Sequence, residues 1–472
     1  MRISNLRNEF ALNTSNSFGG TTAGGLFGLF GDALADLLRA EGIGPILKWV
    51  DDFIFFRIPQ DSIQEYNRER ETNKRTVAEN GGKHQTGGRL WYKGKVLADA
   101  GAEHYAEDLI FPIRNNRNQR NSSATFPYGF KEIDEITSPL GIPWEASKDV
   151  PFSSVVTFAG LSWDLDQKKV SLPDSKKEKY NKAISEWRQR PTHTLEDTQK
   201  LYGKLLYACH VIPRGRAYLT NLEKMVSTFH EHPFIPRHPP KHLAEDLTWW
   251  QTILSRPSLQ REIPGNRHIT DVRGYSDASS TVGIGVVIGD RWLAWHLLPG
   301  WNQDGRDIGW AEAVGMELLI RIILQHSTLP GVKVFGDNIG VIEGWWAGRS
   351  RNAETNRVFK RIHELLEKSD TILTTRYVNT IDNPADGPSR DIYPPRHLQL
   401  PPVNLPSEIR PFVSDIDVPI RTNKTDFPRR VLPEPKTNLP AAERHRRQQA
   451  NDNADEHPDN TIQTSSDNRS TQ

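Results

Sequence analysis

The chain has 472 residues, 25% of them charged and 36% hydrophobic. That is long enough for two or three domains with sizeable cores, and it excludes a disulfide-stapled miniprotein. Lys and Arg number 60 against 59 Asp and Glu, a formal net charge of +1, which excludes a histone-like polycation. Any nucleic-acid contact must then be a local patch. A single cysteine, Cys209, excludes an internal disulfide framework and a multi-cysteine zinc module. No apolar run is long enough to span a bilayer, and MRISNLRNEFALNTSN lacks the apolar stretch of a signal peptide. The expectation is an intracellular protein, cytoplasmic or nuclear, with no membrane partner.

In chain order, the glycines of FGGTTAGGLFG mark a loop or a tight backbone approach. Leu26, Phe30, Ala33, Leu34, Leu37 and Leu38 then recur at helical spacing, with Gly42 and Gly44 as stop signals. Two apolar runs, Ile46 to Val50 and Phe53 to Phe56, flank Asp51-Asp52 in the pattern of a β-hairpin with two acids at its tip. Residues 59–150 are polar and irregular and read as a long insertion. Strands return over 153–172, followed by helices at 174–189, 194–209, 216–229 and 242–254. Residues 268–392 form a separate unit: strands at 270–276, 281–289 and 291–298, a helix at 310–326, a strand at 332–336, helices at 338–347 and 353–368, a strand at 372–378 and a short element near 384–391. That order implies an α/β layer with a mixed sheet. From about 395 onward periodicity vanishes and Pro, Asn, Asp, Arg and Gln dominate, which predicts a disordered tail.

The C-terminal unit carries four acids at strand ends or helix starts: Asp277 in GYSDASSTVGIGVVIG, Glu312 in IGWAEAVGMELLIRII, Asp337 in VKVFGDNIG and Asp386 in NTIDNPADGPSR. Such positions are where a layered α/β sheet places its active site. Any one of them alone reads equally as a helix cap or turn residue. Four converging carboxylates repel one another unless cations sit between them, and two Mg²⁺ would neutralise them and clamp a phosphodiester.

Taken together, these motifs resemble the ribonuclease H domain of reverse transcriptases, over about residues 268–392 and in the family's order. The resemblance implies that Asp277, Glu312, Asp337 and Asp386 hold two Mg²⁺, with Mn²⁺ as a substitute, and that the substrate is an RNA–DNA hybrid. Glu317 in MELL competes with Glu312 for the glutamate position. The two project roughly 140° apart on a helix, so only one faces the metals; Glu312 is chosen for the way Ala313, Met316 and Leu319 continue the helix. The histidine that many ribonucleases H carry before the last acid has no counterpart in RYVNTIDNPAD. That implies a proton transfer that is slower or runs through water.

Upstream, Trp49-Val50-Asp51-Asp52 resembles the aromatic-x-Asp-Asp palm motif of reverse transcriptases, which implies catalytic roles for Asp51 and Asp52. FAGLSWDL resembles the strand pair that holds the primer end, and LYGKLLYACHVIPRGRAYL the thumb or connection. The whole is similar to the DIRS and Ngaro group of retroelements and their fungal relatives. A palm also needs an Asp from an upstream strand, and Glu9 is the only acid before the Gly-rich loop. The expectation is therefore a polymerase with its front missing and its activity lost, or one completed by a separate polypeptide. The implied fold is α+β: a partial palm at 1–58, the insertion at 59–150, the end of the palm and thumb-like helices at 151–265, a ribonuclease H-like domain with a mixed five-stranded sheet at 268–392, and the tail at 393–472.

FGGTTAGGLFG lacks the Gly-Lys-Ser/Thr ending of a phosphate loop. Cys209, in an apolar helical stretch, reads as a small buried hydrophobe. Local charge suggests phosphate contacts at Lys168, Lys169, Arg214, Arg216, Arg349 and Arg351. The alternative to an active nuclease is a catalytically silent nucleic-acid-binding remnant.

Overall fold

A computed structural model describes residues 23–417 apart from 50–51, 80, 86–88, 94–103, 108–109, 116–124, 231 and 264–267, together with residues 2–4 and 10–12. In chain order the elements are β1 (Arg2–Ser4), β2 (Phe10–Leu12), α1 (Ala23–Ala40), β3 (Ile46–Trp49), β4 (Asp52–Phe55), α2 (Ile63–Glu79), β5 (Lys83–Gln85), β6 (Arg89–Lys93), β7 (His104–Glu107) and α3 (Phe130–Thr137). The middle of the chain holds β8 (Val155–Phe158), β9 (Leu161–Asp164), β10 (Lys169–Ser171), α4 (Asp174–Arg188), α5 (Leu195–Ala208), α6 (Thr220–Thr228), α7 (Leu243–Leu254) and β11 (Gln260–Glu262). The last region holds β12 (Thr270–Ala278), β13 (Gly283–Ile288), β14 (Arg291–Leu297), α8 (Ile308–His326), β15 (Gly331–Gly336), α9 (Ile339–Trp346), α10 (Ala353–Ser369), β16 (Ile372–Tyr377), α11 (Asp386–Ser389) and β17 (Val413–Asp415). The class is α+β. Among the described residues no helix is long and apolar enough to cross a membrane.

The last region is built on a mixed sheet of order β16-β15-β12-β13-β14-β17. β12 pairs in parallel with β15, and β15 with β16; β12–β13, β13–β14 and β14–β17 are antiparallel. β13 is GIGVVI, a nearly continuous apolar run, because a central strand is covered on both faces. One face packs on α8, whose Val314, Leu318 and Ile322 are buried, and α10 adds Val358, Phe359 and Ile362 to the same core. The other face takes α11: a Cβ on Gly285 would stand 2.6 Å from the Ala385 carbonyl and the Ser389 nitrogen. Only glycine lets that segment, which carries Asp386, lie directly on the strand.

The expected five strands are all present, and β17 adds a sixth. It comes from the stretch after residue 392 that was expected to lack structure. Leu400, Val403, Ile409 and Val413 are buried in the same core, and Leu400 N donates to the Trp292 carbonyl. Four apolar anchors spread over fourteen residues among prolines form no periodic pattern, so the signal is absent although the burial is real. The remainder of the expected tail, 418–472, lies outside the described residues.

The middle region has its own core of α4, α5, α6 and α7, with Ile184, Leu205, Leu222 and Trp250 buried, capped by the β11-β10-β9-β8 sheet. Cys209 is buried there, its Sγ donating to the Leu205 carbonyl at 3.4 Å; burial pushes its thiol up to about 12, as befits an inert hydrophobe. A smaller cluster of Leu38, Ile43, Ile46, Tyr128 and Ile133 holds α1, β3 and α3 together.

In the stretch read as irregular insertion, α2 is a helix of 17 residues. Its buried positions, Ile63, Arg70 and Val77, are seven apart and form no apolar stripe. It is held instead by polar side chains on backbone: Asn67 Nδ2 donates to the Ile113 carbonyl at 2.8 Å, Arg70 Nη2 to Phe111 at 2.9 Å and Lys74 Nζ to Ile110 at 3.2 Å. Side chains 67, 70 and 74 share one helical face, but their partners lie about forty residues away in sequence.

Candidate metal centre

Three of the four expected acids meet. Ligand atoms of Asp277, Glu312 and Asp337 all lie within 4.8 Å of one another. Asp277 is the penultimate residue of β12, Asp337 directly follows β15, and Glu312 lies one turn into α8. The neighbouring parallel strands thus deliver two carboxylates to one sheet edge. Local caps fix the rest: Asp307 Oδ1 accepts from Trp310 N at 3.0 Å to start α8, and Asn338 Oδ1 accepts from Val341 N at 3.2 Å to start α9 immediately after Asp337.

Asp277 and Glu312 are almost completely buried, at 2% and 7% exposure. Burial pushes Asp277 up to about 6, helped by Asp337 and Asp386 and opposed by the Ser389 hydroxyl. Burial, then Asp277 and Asp337, hold Glu312 well above the ordinary carboxylate range. Ser389 Oγ donates to Asp277 Oδ2, and Thr380 Oγ1 donates to Asp337 Oδ2 at 2.7 Å. Each hydroxyl fixes one oxygen. Asp337 Oδ1 is buried without a hydrogen-bond partner. An all-oxygen donor set with an orphaned carboxylate oxygen, and with no Lys or Arg among the described residues ion-paired to the three acids, fits a hard divalent cation.

Asp386 does not join the three. It opens α11, and its Oδ1 accepts from Arg390 Nε at 2.8 Å. Glu317 faces away from the site: it is fully buried, with Arg361 Nη2 on Oε2 at 2.6 Å and Arg321 Nη2 on Oε1 at 2.7 Å, and ties α8 to α10. Of the two glutamates, Glu312 is the one that lies with Asp277 and Asp337. Asp52 lies on β4, where it pairs with Trp49 across the expected hairpin; Asp51 and the loop at 17–22 lie outside the described residues.

The basic candidates divide. Lys168, in the turn before β10, and Arg216 and Arg351 are exposed. Lys169 is half-buried, its Nζ donating to Gln167 Oε1 at 3.3 Å. Arg214 and Arg349 are engaged internally: Arg214 pairs with Glu367, and Arg349 Nη1 lies 2.6 Å from Glu223 Oε2. Both pairs join the middle region to the last one, so these two cations are committed to architecture, which their position near other basic residues did not reveal.

Sequence reasoning named neither Ser389 nor Thr380. Ser389 stands three residues after Asp386 in NPADGPSR, a spacing that puts it on the same side of a helical turn. Thr380 had no such signal. Asn383 completes the brace, donating through Nδ2 to the Ser276 carbonyl at 3.1 Å beside Asp277.

A mixed sheet thus brings two acids to the carboxyl ends of adjacent parallel strands, with a third acid on the covering helix. No protein-family model matches the chain, and no curated protein matches it. Among solved structures, it is similar to the foamy viral protease-reverse transcriptase dRH in complex with double-stranded DNA, at 13% identity over 75% of this chain and 49% of that one, with a TM-score of 0.25. It is also similar to the foamy viral protease-reverse transcriptase in complex with double-stranded DNA, at 15% identity over 77% of this chain and 60% of that one, with a TM-score of 0.27. The chain therefore spans between half and three-fifths of the length of these two proteins. Likeness at this level carries no functional weight, and the site's own geometry is what bears on chemistry.

Proposed function

We propose that the C-terminal domain is a ribonuclease H that hydrolyses the RNA strand of RNA–DNA hybrids, in a chain derived from a DIRS- or Ngaro-type retroelement. The observation that supports it is the meeting of Asp277, Glu312 and Asp337, from three separate elements, within 4.8 Å. These three residues would hold the metal. Magnesium, or manganese in its place, as two ions by the resemblance, would supply Lewis-acid stabilisation of the charge that builds on the phosphodiester.

The chain's own contribution is preorganisation. Ser389 and Thr380 fix the rotation of Asp277 and Asp337 and leave the second oxygen of each for a cation. Burial and the neighbouring acids raise the Glu312 pKa, and a cation bound there would favour its ionised form. Close packing of α8 on the sheet keeps the three oxygens together before substrate binds: a Cβ on Gly315 would meet Ile284 Cγ2 at 3.1 Å. A hybrid duplex would be read by shape and 2′-OH rather than by sequence, with Lys168, Arg216 and Arg351 available to its phosphates.

The test is incubation of the full chain with Mg²⁺ and a labelled RNA–DNA hybrid. Cleavage of the RNA strand alone is expected, with a loss of about 10³-fold or more in Asp277→Asn and Glu312→Gln, equivalent to several kcal/mol of transition-state stabilisation. A folded wild-type chain that binds hybrid and leaves it intact overturns the proposal and supports the silent remnant.

A further inference from the structure

The short helix α11 serves the acid site in two ways. Its Ser389 hydroxyl donates to Asp277 Oδ2. Burial, Asp337 and Asp386 raise Asp277, so the Asp386 carboxylate lies within electrostatic reach of it. Four residues of helix are not stable by themselves, so something else must hold α11 on the sheet. It rests on Gly285 of β13 and then turns back at Asp391, where φ is 63° and the Ile392 N–H closes on the Gly387 carbonyl at 3.0 Å. A helix stop of this kind favours glycine, because a side chain is strained in the left-handed region.

This chain has a carboxylate there, and two side chains from other segments hold it. His296 of β14 stands across from Gly283, two residues from Gly285, so it shares the face on which α11 lies. Its Nε2 lies 3.0 Å from Asp391 Oδ1. Its Nδ1 is buried with no hydrogen-bond partner among the described residues, which leaves the Asp391 contact as the ring's anchor. The Tyr393 hydroxyl donates to the same oxygen, and its ring stacks on Trp292 of β14 with centroids 4.9 Å apart. An ionised carboxylate only accepts hydrogen bonds, so both partners donate.

We propose that His296, Asp391 and Tyr393 form a clamp that seats α11 on the sheet, and so sets the rotation of Asp277 and the place of Asp386 at the metal centre. The three are positioning residues that act through Ser389 and Asp386. The His296–Asp391 pair is 21% and 52% exposed. Its worth to global folding is therefore small, and its effect falls on the segment it holds. Removing a group that orients a metal ligand lowers metal affinity by roughly 10–100-fold. The inference rests on the ribonuclease H reading of the site.

Two measurements on the full chain test it without relying on cleavage: amide hydrogen exchange over residues 386–390, and the affinity for added Mn²⁺ by electron paramagnetic resonance without nucleic acid. Asp391→Gly removes the carboxylate and suits the left-handed turn, so its melting temperature should stay within about 3 °C of wild type. Exchange is expected to quicken about tenfold, and Mn²⁺ affinity to fall about tenfold. His296→Leu, which leaves the sequence of the segment intact, should match it, and the double variant should add nothing, because the residues act as one unit. Asp391→Asn tolerates the same turn and still accepts hydrogen bonds, so it should stay within about threefold of wild type in both measurements. A merely structural contact would lower the melting temperature and leave Mn²⁺ affinity unmoved. Wild-type exchange or wild-type Mn²⁺ affinity in either single variant overturns the clamp, and so do losses that add in the double variant. If the expectations hold while the wild type leaves an RNA–DNA hybrid intact, the clamp stands and the nuclease reading falls. A wild type that binds no Mn²⁺ overturns both.

Discussion

Among the described residues, carboxylates are buried in two places, the acid site and the seam where α10 meets the middle region and α8, and they are treated in opposite ways. At the seam each has a cation. Asp246, 2% exposed, receives Lys360 Nζ of α10 at 2.6 Å, and Glu317 on α8 receives Arg321 and Arg361, the latter from α10. At the acid site Asp277, Glu312 and Asp337 have two hydroxyls, the Ala278 backbone N–H and one half-exposed guanidinium on a neighbouring acid. Removing a carboxylate from water costs several kcal/mol and something must offset it. At the seam the offset folds with the chain. At the acid site no such cation folds with the chain among the described residues, and the raised Asp277 and Glu312 are the electrostatic trace of that.

The contrast can be broken at its strongest point by Glu317→Gln. Leaving Arg361 and Arg321 facing a neutral amide should cost about 3 kcal/mol of stability in urea unfolding, with unchanged cleavage per folded molecule. A loss under about 1 kcal/mol, or a selective loss of cleavage, would mean that the two glutamates do not differ as described.

Asp277→Asn should do the reverse. In EDTA at neutral pH the variant is expected to be more stable than wild type by on the order of 2 kcal/mol, because a buried charge held up to about 6 is removed. Mg²⁺ should then raise the melting temperature of the wild type and leave the variant unmoved.

A pH series sharpens the comparison further. Folded Asp277 takes up its proton at a higher pH than in the unfolded chain, so it adds stability as pH falls through about 6 towards 3.8, and Glu312 acts in the same sense. His363, half-buried on α10 and held down to about 4 by burial and Arg214, acts oppositely: the unfolded chain is protonated first, and stability is lost as pH falls from 6.5 to 4. In metal-free wild type the two slopes oppose. Asp277→Asn should lose stability on acidification, and His363→Gln should gain it, by at most about 1.4 kcal/mol per pH unit each. Equal profiles in all three proteins would contradict this.

The smallest effect belongs to Arg349→Ala. Its pair with Glu223 is partly exposed, at 27% and 37%, so a cost of about 0.5–1 kcal/mol is expected. Hybrid affinity should not change, since this arginine serves the seam.

Much of the last region was legible because its signals are local. GIGVVIG reads as a doubly covered strand from its own residues, and Asp277, Glu312 and Asp337 were named from motif and order alone. α2 was not legible because it is held by polar side chains on distant carbonyls, nor was β17, whose four apolar anchors follow no period. Arg214 and Arg349 were expected at phosphates: a basic residue looks the same in sequence whether its partner is solvent, a phosphate or Glu367.

By itself, then, the sequence determined the order of elements and the identity of the acids, since hydrophobic periodicity and turn chemistry act over a few residues. Only the tertiary structure decided which charges are neutralised. Glu312 and Glu317 stand five residues apart on one helix, and their separation into one without a paired cation among the described residues and one doubly paired depends on α10, β12 and β15 arriving from elsewhere in the chain. The fate of a buried charge is set by what packs around it through space, and nearest neighbours in sequence do not record that.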